Sequence, residues 1–89
     1  MKAIVSVLGK DRTGIIAKVA TALYELGVNI EDISQTILQN EYFTMIMMVS
    51  LSETDNISRI SDKLNAVAEE LGVEIRIQHE NIFKSMHRI

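Results

Sequence analysis

The stretch Glu25–Ile30 (Glu-Leu-Gly-Val-Asn-Ile) returns 45 residues later as Glu70–Ile75 (Glu-Leu-Gly-Val-Glu-Ile). Each copy follows a segment with apolar residues at helical spacing and leads into a segment with strand character. Glycine at such a junction is typical of the left-handed residue that ends a helix. The repeat therefore predicts two βαβ units of similar build, as in a split βαβ fold.

The rest of the chain supplies the elements that two such units need. Strand patterns occupy residues 2–8, 28–38, 42–51 and 73–78. Two apolar stripes at helical spacing separate them, formed by Ile15, Ile16, Val19, Ala20, Leu23 and Leu26 and by Ile57, Ile60, Leu64, Val67, Ala68 and Leu71. Right-handed crossovers then predict an α+β fold, a ferredoxin-like βαββαβ two-layer sandwich. Its four-stranded antiparallel sheet has both helices on one face and the first and third strands in the middle.

Two irregularities modify this prediction. The alternation of the second strand slips around Glu31, Asp32 and Ile33, which indicates a bulge or a bend. The third strand is apolar on both faces, although two helices cover only one face of a sheet. We therefore expect one domain over residues 1–79 and a short helical extension over 80–89 that helps to close the free face or a subunit boundary.

Composition excludes several classes of function. The 89 residues carry a net charge of −3 and form no basic cluster, which gives no support to nucleic-acid binding. The chain has no cysteine, and His79 and His87 lack the spacing of a helical metal pair, so we expect no metal and no cofactor. No stretch is long enough to span a bilayer and no secretory leader is recognisable, so we expect a cytoplasmic protein without a membrane partner.

The segment between the first strand and the first helix is the candidate site. It reads Gly-Lys-Asp-Arg-Thr-Gly-Ile from residue 9 to residue 15. The first N–H groups of a helix lack intrahelical partners, and two glycines allow a small anion to come close to them. Arg12 could hold a carboxylate at two points. The alternative is that Gly9 and Gly14 only form a tight turn.

The second strand is expected at the edge of the sheet, where it needs a cover or a partner. If two copies join edge to edge, the glycine segment of one chain could lie near residues 29–32 of the other. A small ligand would then meet backbone N–H groups from one chain and amide or carboxylate groups from its partner.

These two segments together resemble the ACT domain family. The resemblance rests on Gly-Lys-Asp-Arg-Thr-Gly-Ile-Ile after the first strand and on Leu-Gly-Val-Asn-Ile-Glu-Asp-Ile-Ser at the next turn, and it covers residues 1–79. It is nearest to small stand-alone ACT proteins related to the glycine cleavage system repressor. The resemblance implies a ligand site formed by Gly9, Lys10, Asp11, Arg12, Thr13, Gly14, Ile15, Asn29, Ile30 and Asp32.

The resemblance also implies a function. It indicates a non-catalytic regulatory module that acts as a homodimer, binds an amino acid or a similar small carboxylate, and shifts the activity of a partner protein. One alternative is an acylphosphatase-like hydrolase. Such enzymes have the same strand order, and Arg12 in the first loop and Asn29 on the second strand would be the matching residues here. Another is a pure dimerisation module without a ligand.

Overall fold

The computed structural model describes residues 1–10, 14–39 and 41–80. Six elements follow in the predicted order: β1 (Lys2–Lys10), α1 (Ile15–Glu25), β2 (Asn29–Leu38), β3 (Tyr42–Ser50), α2 (Ile57–Leu71) and β4 (Glu74–His79). The strands form one sheet in the order β2-β3-β1-β4, and every neighbouring pair is antiparallel. The ferredoxin-like βαββαβ fold, with β1 and β3 central and β2 at an edge, is confirmed.

The core lies between the sheet and the helices. Alternate residues of the two central strands are buried there, namely Ala3, Val5, Val7, Phe43, Met45, Met47 and Val49. Met45 and Met47 are 0% and 1% exposed, so these two methionines fill the core and face no ligand. Ile60 and Leu64 of α2 close the core from the other side.

The two helices end as the glycines predict. Gly72 has φ +70° at the end of α2, and Gly27 has φ +76° two residues after α1. The apolar stripe of α1 differs in part from the prediction. Ala22 is buried, whereas Ile16 is 41% exposed. The residues of α1 that face the core share one side of the helix, namely Ile15, Val19, Ala22 and Leu23.

Strand β2 contains the expected bulge. Its pairing with β3 shifts register between Ile30 and Asp32, which leaves Glu31 as the extra residue. Every residue of β2 except Ile30 is exposed. Ile33 and Ile37 lie on the helix side of the sheet yet remain 44% and 51% exposed, so the helices leave this margin uncovered. An edge strand with exposed apolar side chains is typical of an interface.

The sheet surface opposite the helices is apolar as well, as the pattern of β3 predicts. We call it the open face. It includes Ile4, Ser6, Leu8, Tyr42, Thr44, Ile46 and Met48, with residues of β2 and β4 beside them. The helix predicted over 80–89 lies outside the described residues except for Glu80.

Candidate functional site

The connection from β1 to α1 is shorter than the sequence predicts. Gly9 and Lys10, which we expected in the loop, belong to β1 and pair with Phe43 and Tyr42 of β3. The connection is therefore reduced to residues 11–14. Its middle residues Asp11, Arg12 and Thr13 lie outside the described residues.

The two glycines of this segment serve different purposes. A Cβ on Gly9 would lie 2.6 Å from Val73 Cγ1, so glycine allows the turn before β4 to pack against the end of β1. Gly14 instead has φ +91°, and no atom would lie within 4 Å of its Cβ. Gly14 is thus required by backbone conformation. Because Gly9 lies in β1, the alternative that it only forms a tight turn is wrong.

The start of α1 is fixed by the core. Lys18 N–H donates to the Gly14 carbonyl at 2.9 Å, the first bond of this helix between described residues. The Ile15 side chain is only 2% exposed and packs in the core. Ile15 can therefore present only its backbone to a ligand. Lys10, at the other end of the connection, has a side chain that is 76% exposed, with Nζ 3.9 Å from a Glu41 carboxylate oxygen.

The second half of the predicted site is the start of β2. Asn29 is exposed and pairs with Ser50, and the Asp32 carboxylate accepts a hydrogen bond from Ile33 N–H at 2.9 Å. Ile30 is half-buried and packs against the core, so its side chain supports the strand. Of the residues predicted here as ligand contacts, Asn29 and Asp32 are the two with polar side chains.

Glu31 is a residue that the sequence analysis did not include in the site. Its carboxylate lies 3.1 Å from Lys2 Nζ. Hydrogen bonds from Lys2 and then Ser50 hold the pKa of Glu31 below its ordinary value of 4.5. The expected bulge was the available signal, since a bulge residue is free to reach across the neighbouring strands. This ion pair ties the first residues of β2 to β1.

We expect Glu31→Gln to remove a pH-dependent part of the stability. A lowered folded-state pKa means that the ionised carboxylate stabilises the fold above pH 4.5 and that this contribution is lost as pH falls through the folded-state value. Melting temperatures of wild type and Glu31→Gln should therefore differ slightly at pH 7 and converge in acid. Glu69→Gln, an exposed site on α2, is the control and should leave the pH profile unchanged.

The two halves of the predicted site lie at opposite ends of the sheet. Asn29 is in register with Ser50 and Lys2, whereas the connection to α1 follows Lys10, which is in register with Tyr42. Eight residue steps along β1 correspond to about 26 Å. A single subunit therefore does not bring the connection and the start of β2 to one ligand.

The same register bears on the hydrolase alternative. An acylphosphatase-like mechanism needs Arg12 and Asn29 at one phosphoryl group. Lys10 and Gly14, which bracket Arg12, lie at the end of the sheet remote from Asn29. The geometry within one chain thus argues against this pairing.

The described residues, 1–10, 14–39 and 41–80, contain no group of three or more metal-ligating side chains. Neither helix within these ranges is long and apolar enough to cross a membrane.

A family model described as the ACT domain matches residues 2–78. The chain belongs to the ACT domain family. An ACT domain protein from Streptococcus pneumoniae superimposes with a TM-score of 0.84 at 47% identity, covering 93% of each chain. A UPF0237 protein of Streptococcus mutans is 49% identical over 89 residues, the full length of both chains.

One structural neighbour carries a regulatory name. A protein named as a glycine cleavage system transcriptional repressor is 25% identical with a TM-score of 0.75, and the match covers 86% of this chain and 44% of that one. This ACT chain therefore matches about half of that neighbour, and the relation to glycine cleavage repressors expected from the sequence is confirmed.

Proposed function

We propose that this ACT chain is a regulatory module that binds a small amino acid between two copies of itself. The observation that supports this most strongly is the register of the sheet. The two polar segments that the family motif singles out lie about 26 Å apart along one sheet, yet the strand that carries the second segment is an unpaired edge. A two-fold partner is the simplest way to bring them together.

A two-fold axis through paired β2 strands would bring the two segments close to each other. If β2 pairs antiparallel with β2 of a second copy about a two-fold axis near its middle, residue 29 of one chain lies beside residue 38 of the other. Leu38 is in register with Tyr42 and Lys10. Asn29 of the partner subunit then lies about 14 Å, three strand spacings, from the end of β1. The connection to α1 and the side chains at the start of β2 can close that gap around a ligand.

The chemistry of the two segments suits an amino acid. The N-terminus of α1 and the exposed Lys10 ammonium favour a carboxylate. The Asp32 carboxylate and the Asn29 amide oxygen of the partner subunit can accept hydrogen bonds from an α-ammonium group. Binding would favour the paired state over separate chains, and a partner protein that distinguishes these states would be regulated. We propose that this regulation takes place in the cytoplasm and involves no catalysis.

A panel of amino acids in a thermal-shift assay tests the proposal. A ligand present at about 100 times its Kd should stabilise the protein by about 2.7 kcal/mol, which raises the melting temperature of a domain of this size by roughly 10–20 °C. Asn29→Ala should abolish the shift while leaving the unliganded protein folded, because Asn29 is exposed. Thr36→Ala, an exposed polar residue on the same strand, is the matched control.

A substitution at Gly14 would not test ligand binding cleanly. Its positive φ means that any replacement with a side chain strains the backbone by about 1–2 kcal/mol, whatever happens to the ligand. If no amino acid stabilises the wild type while the protein still dimerises, the ligand proposal fails and a dimerisation module without a ligand remains.

A further inference from the structure

The open face needs an occupant that the described elements do not supply. Leu8 and Ile46 are 48% and 45% exposed there, while Ile4, on the same face, is only 8% exposed. Met48, the cross-strand neighbour of Ile4, is half-buried. The exposed fraction of these side chains thus falls toward one end of the open face. We call this end, with Ile4, Met48 and the residues beside them, the lower half.

The chain leaves β4 at this same end. Gln78 pairs with Ile4 and His79 pairs with Ala3, so the last described residue, Glu80, follows directly on the lower half. Glu80 has left the strand and has helical backbone conformation. Nine residues, 81–89, remain beyond it.

We propose that residues 81–89 seat on the lower half of the open face of their own chain. Nine residues span about 14 Å as a helix. Ile4 and Met48 lie within one or two strand spacings of β4, about 5–10 Å. A helix of this length can therefore cover the lower half. It cannot cover the whole of the open face.

The sequence of the segment matches this surface. Its apolar residues recur at helical spacing and share one side, namely Ile82, Phe83, Met86 and Ile89. It has two basic residues, Lys84 and Arg88, and no acidic one, whereas residues 1–80 contain all twelve acidic residues of the chain. A hollow of about 180 Å³ beside Ile4 and Met48 is lined on its β2 side by Asp32. At this spacing Lys84 and Arg88 lie on the side away from the apolar residues, so the apolar side can enter the hollow while both cations stay in water.

A designed disulfide tests this arrangement directly, because the chain has no cysteine of its own. In Met48→Cys/Met86→Cys, mild oxidation should form a disulfide within one chain, visible as loss of free thiol without a dimer-sized band on a non-reducing gel. Tyr24→Cys/Met86→Cys is the control, since Tyr24 is 82% exposed on α1, and it should oxidise much more slowly. Disulfides formed only between chains would place the segment on a neighbouring copy and overturn the proposal.

Point variants give a second, independent readout. Phe83→Ala should lower the melting temperature by about 4–8 °C, the shift expected for one lost apolar contact in a domain of this size. Lys84→Ala, on the opposite side of the predicted helix, should leave it unchanged. Phe83→Ala should also increase fluorescence of an added naphthalene-sulfonate dye, which reports exposed apolar surface. Equal melting temperatures for both variants would contradict a docked segment. This inference does not depend on the proposed ligand.

Discussion

Replacing Ile33 and Ile37 with aspartate is expected to leave the ACT chain folded but monomeric, and to abolish ligand-induced stabilisation. Both side chains lie on the helix side of the edge strand and are 44% and 51% exposed, so neither is needed for the core of one subunit. In the proposed dimer they would be covered by the second copy. Burying about half of an isoleucine contributes about 1 kcal/mol, and two chains supply four of them.

The loss of four such contacts corresponds to about 4 kcal/mol, or about three orders of magnitude in the dimer dissociation constant. Aspartates buried in that interface would weaken the pairing further. Sedimentation velocity over a concentration series measures the change, and circular dichroism verifies that the fold is retained. Ser34→Asn/Thr36→Asn, on the same strand but facing the open side of the sheet and without added charge, is the control and should weaken dimerisation far less.

A double variant that sediments as wild type would exclude pairing through β2. A variant that is monomeric but still shows the full thermal shift with an amino acid would separate the two parts of the proposal. The ligand would then bind within one subunit, and the connection to α1 and the start of β2 would not form one site between two subunits.

The fold was predictable because the signals that specify it are local. The helical stripes, the strand alternation and the glycines at positions 27 and 72 each act over a few residues. The structure confirms the elements that they predict, although the buried side of α1 differs in part from the predicted stripe. The bulge was predictable for the same reason, since the alternation of β2 breaks within three residues of Glu31. Local periodicity and turn chemistry decide element type before tertiary contacts form.

The details of the site were less predictable because they depend on long-range register. Nothing near Asn29 in the sequence indicates that it lies level with Lys2, far from Gly14. The sequence already suggested that two chains supply the two segments, but only the pairing of three strands gives their separation within one subunit. The ion pair between Glu31 and Lys2 likewise requires the assembled sheet.

The role of Gly9 likewise depends on a contact between residues far apart in the sequence. In the sequence it looks like a loop glycine, yet it lies inside β1 against a residue that is 64 positions away, Val73. A Cβ on Gly9 would lie 2.6 Å from Val73 Cγ1, 2.9 Å from its Cβ and 3.2 Å from its Cα. Part of this overlap is with the backbone, so a side-chain rotation of Val73 cannot relieve it.

We therefore expect Gly9→Ala to cost about 1–3 kcal/mol of unfolding free energy, measured by urea denaturation. Ligand affinity should fall in the same variant, because Gly9 directly precedes Lys10 and the connection to α1. Val73→Ala removes the closest atom, so the double variant Gly9→Ala/Val73→Ala should be more stable than the two single effects predict when added. The rescue should be partial, because the contacts with Cβ and Cα remain.

Gly27→Ala is the control for a glycine with a different requirement. Gly27 has φ +76° and no atom within 4 Å of an added Cβ, so its replacement costs backbone strain without a steric overlap. Val73→Ala should therefore show no coupling with Gly27→Ala, and the two losses should add. If Gly9→Ala is as stable as wild type, or if it couples to Val73 no more than Gly27 does, close packing between the end of β1 and the start of β4 is not what requires glycine at position 9.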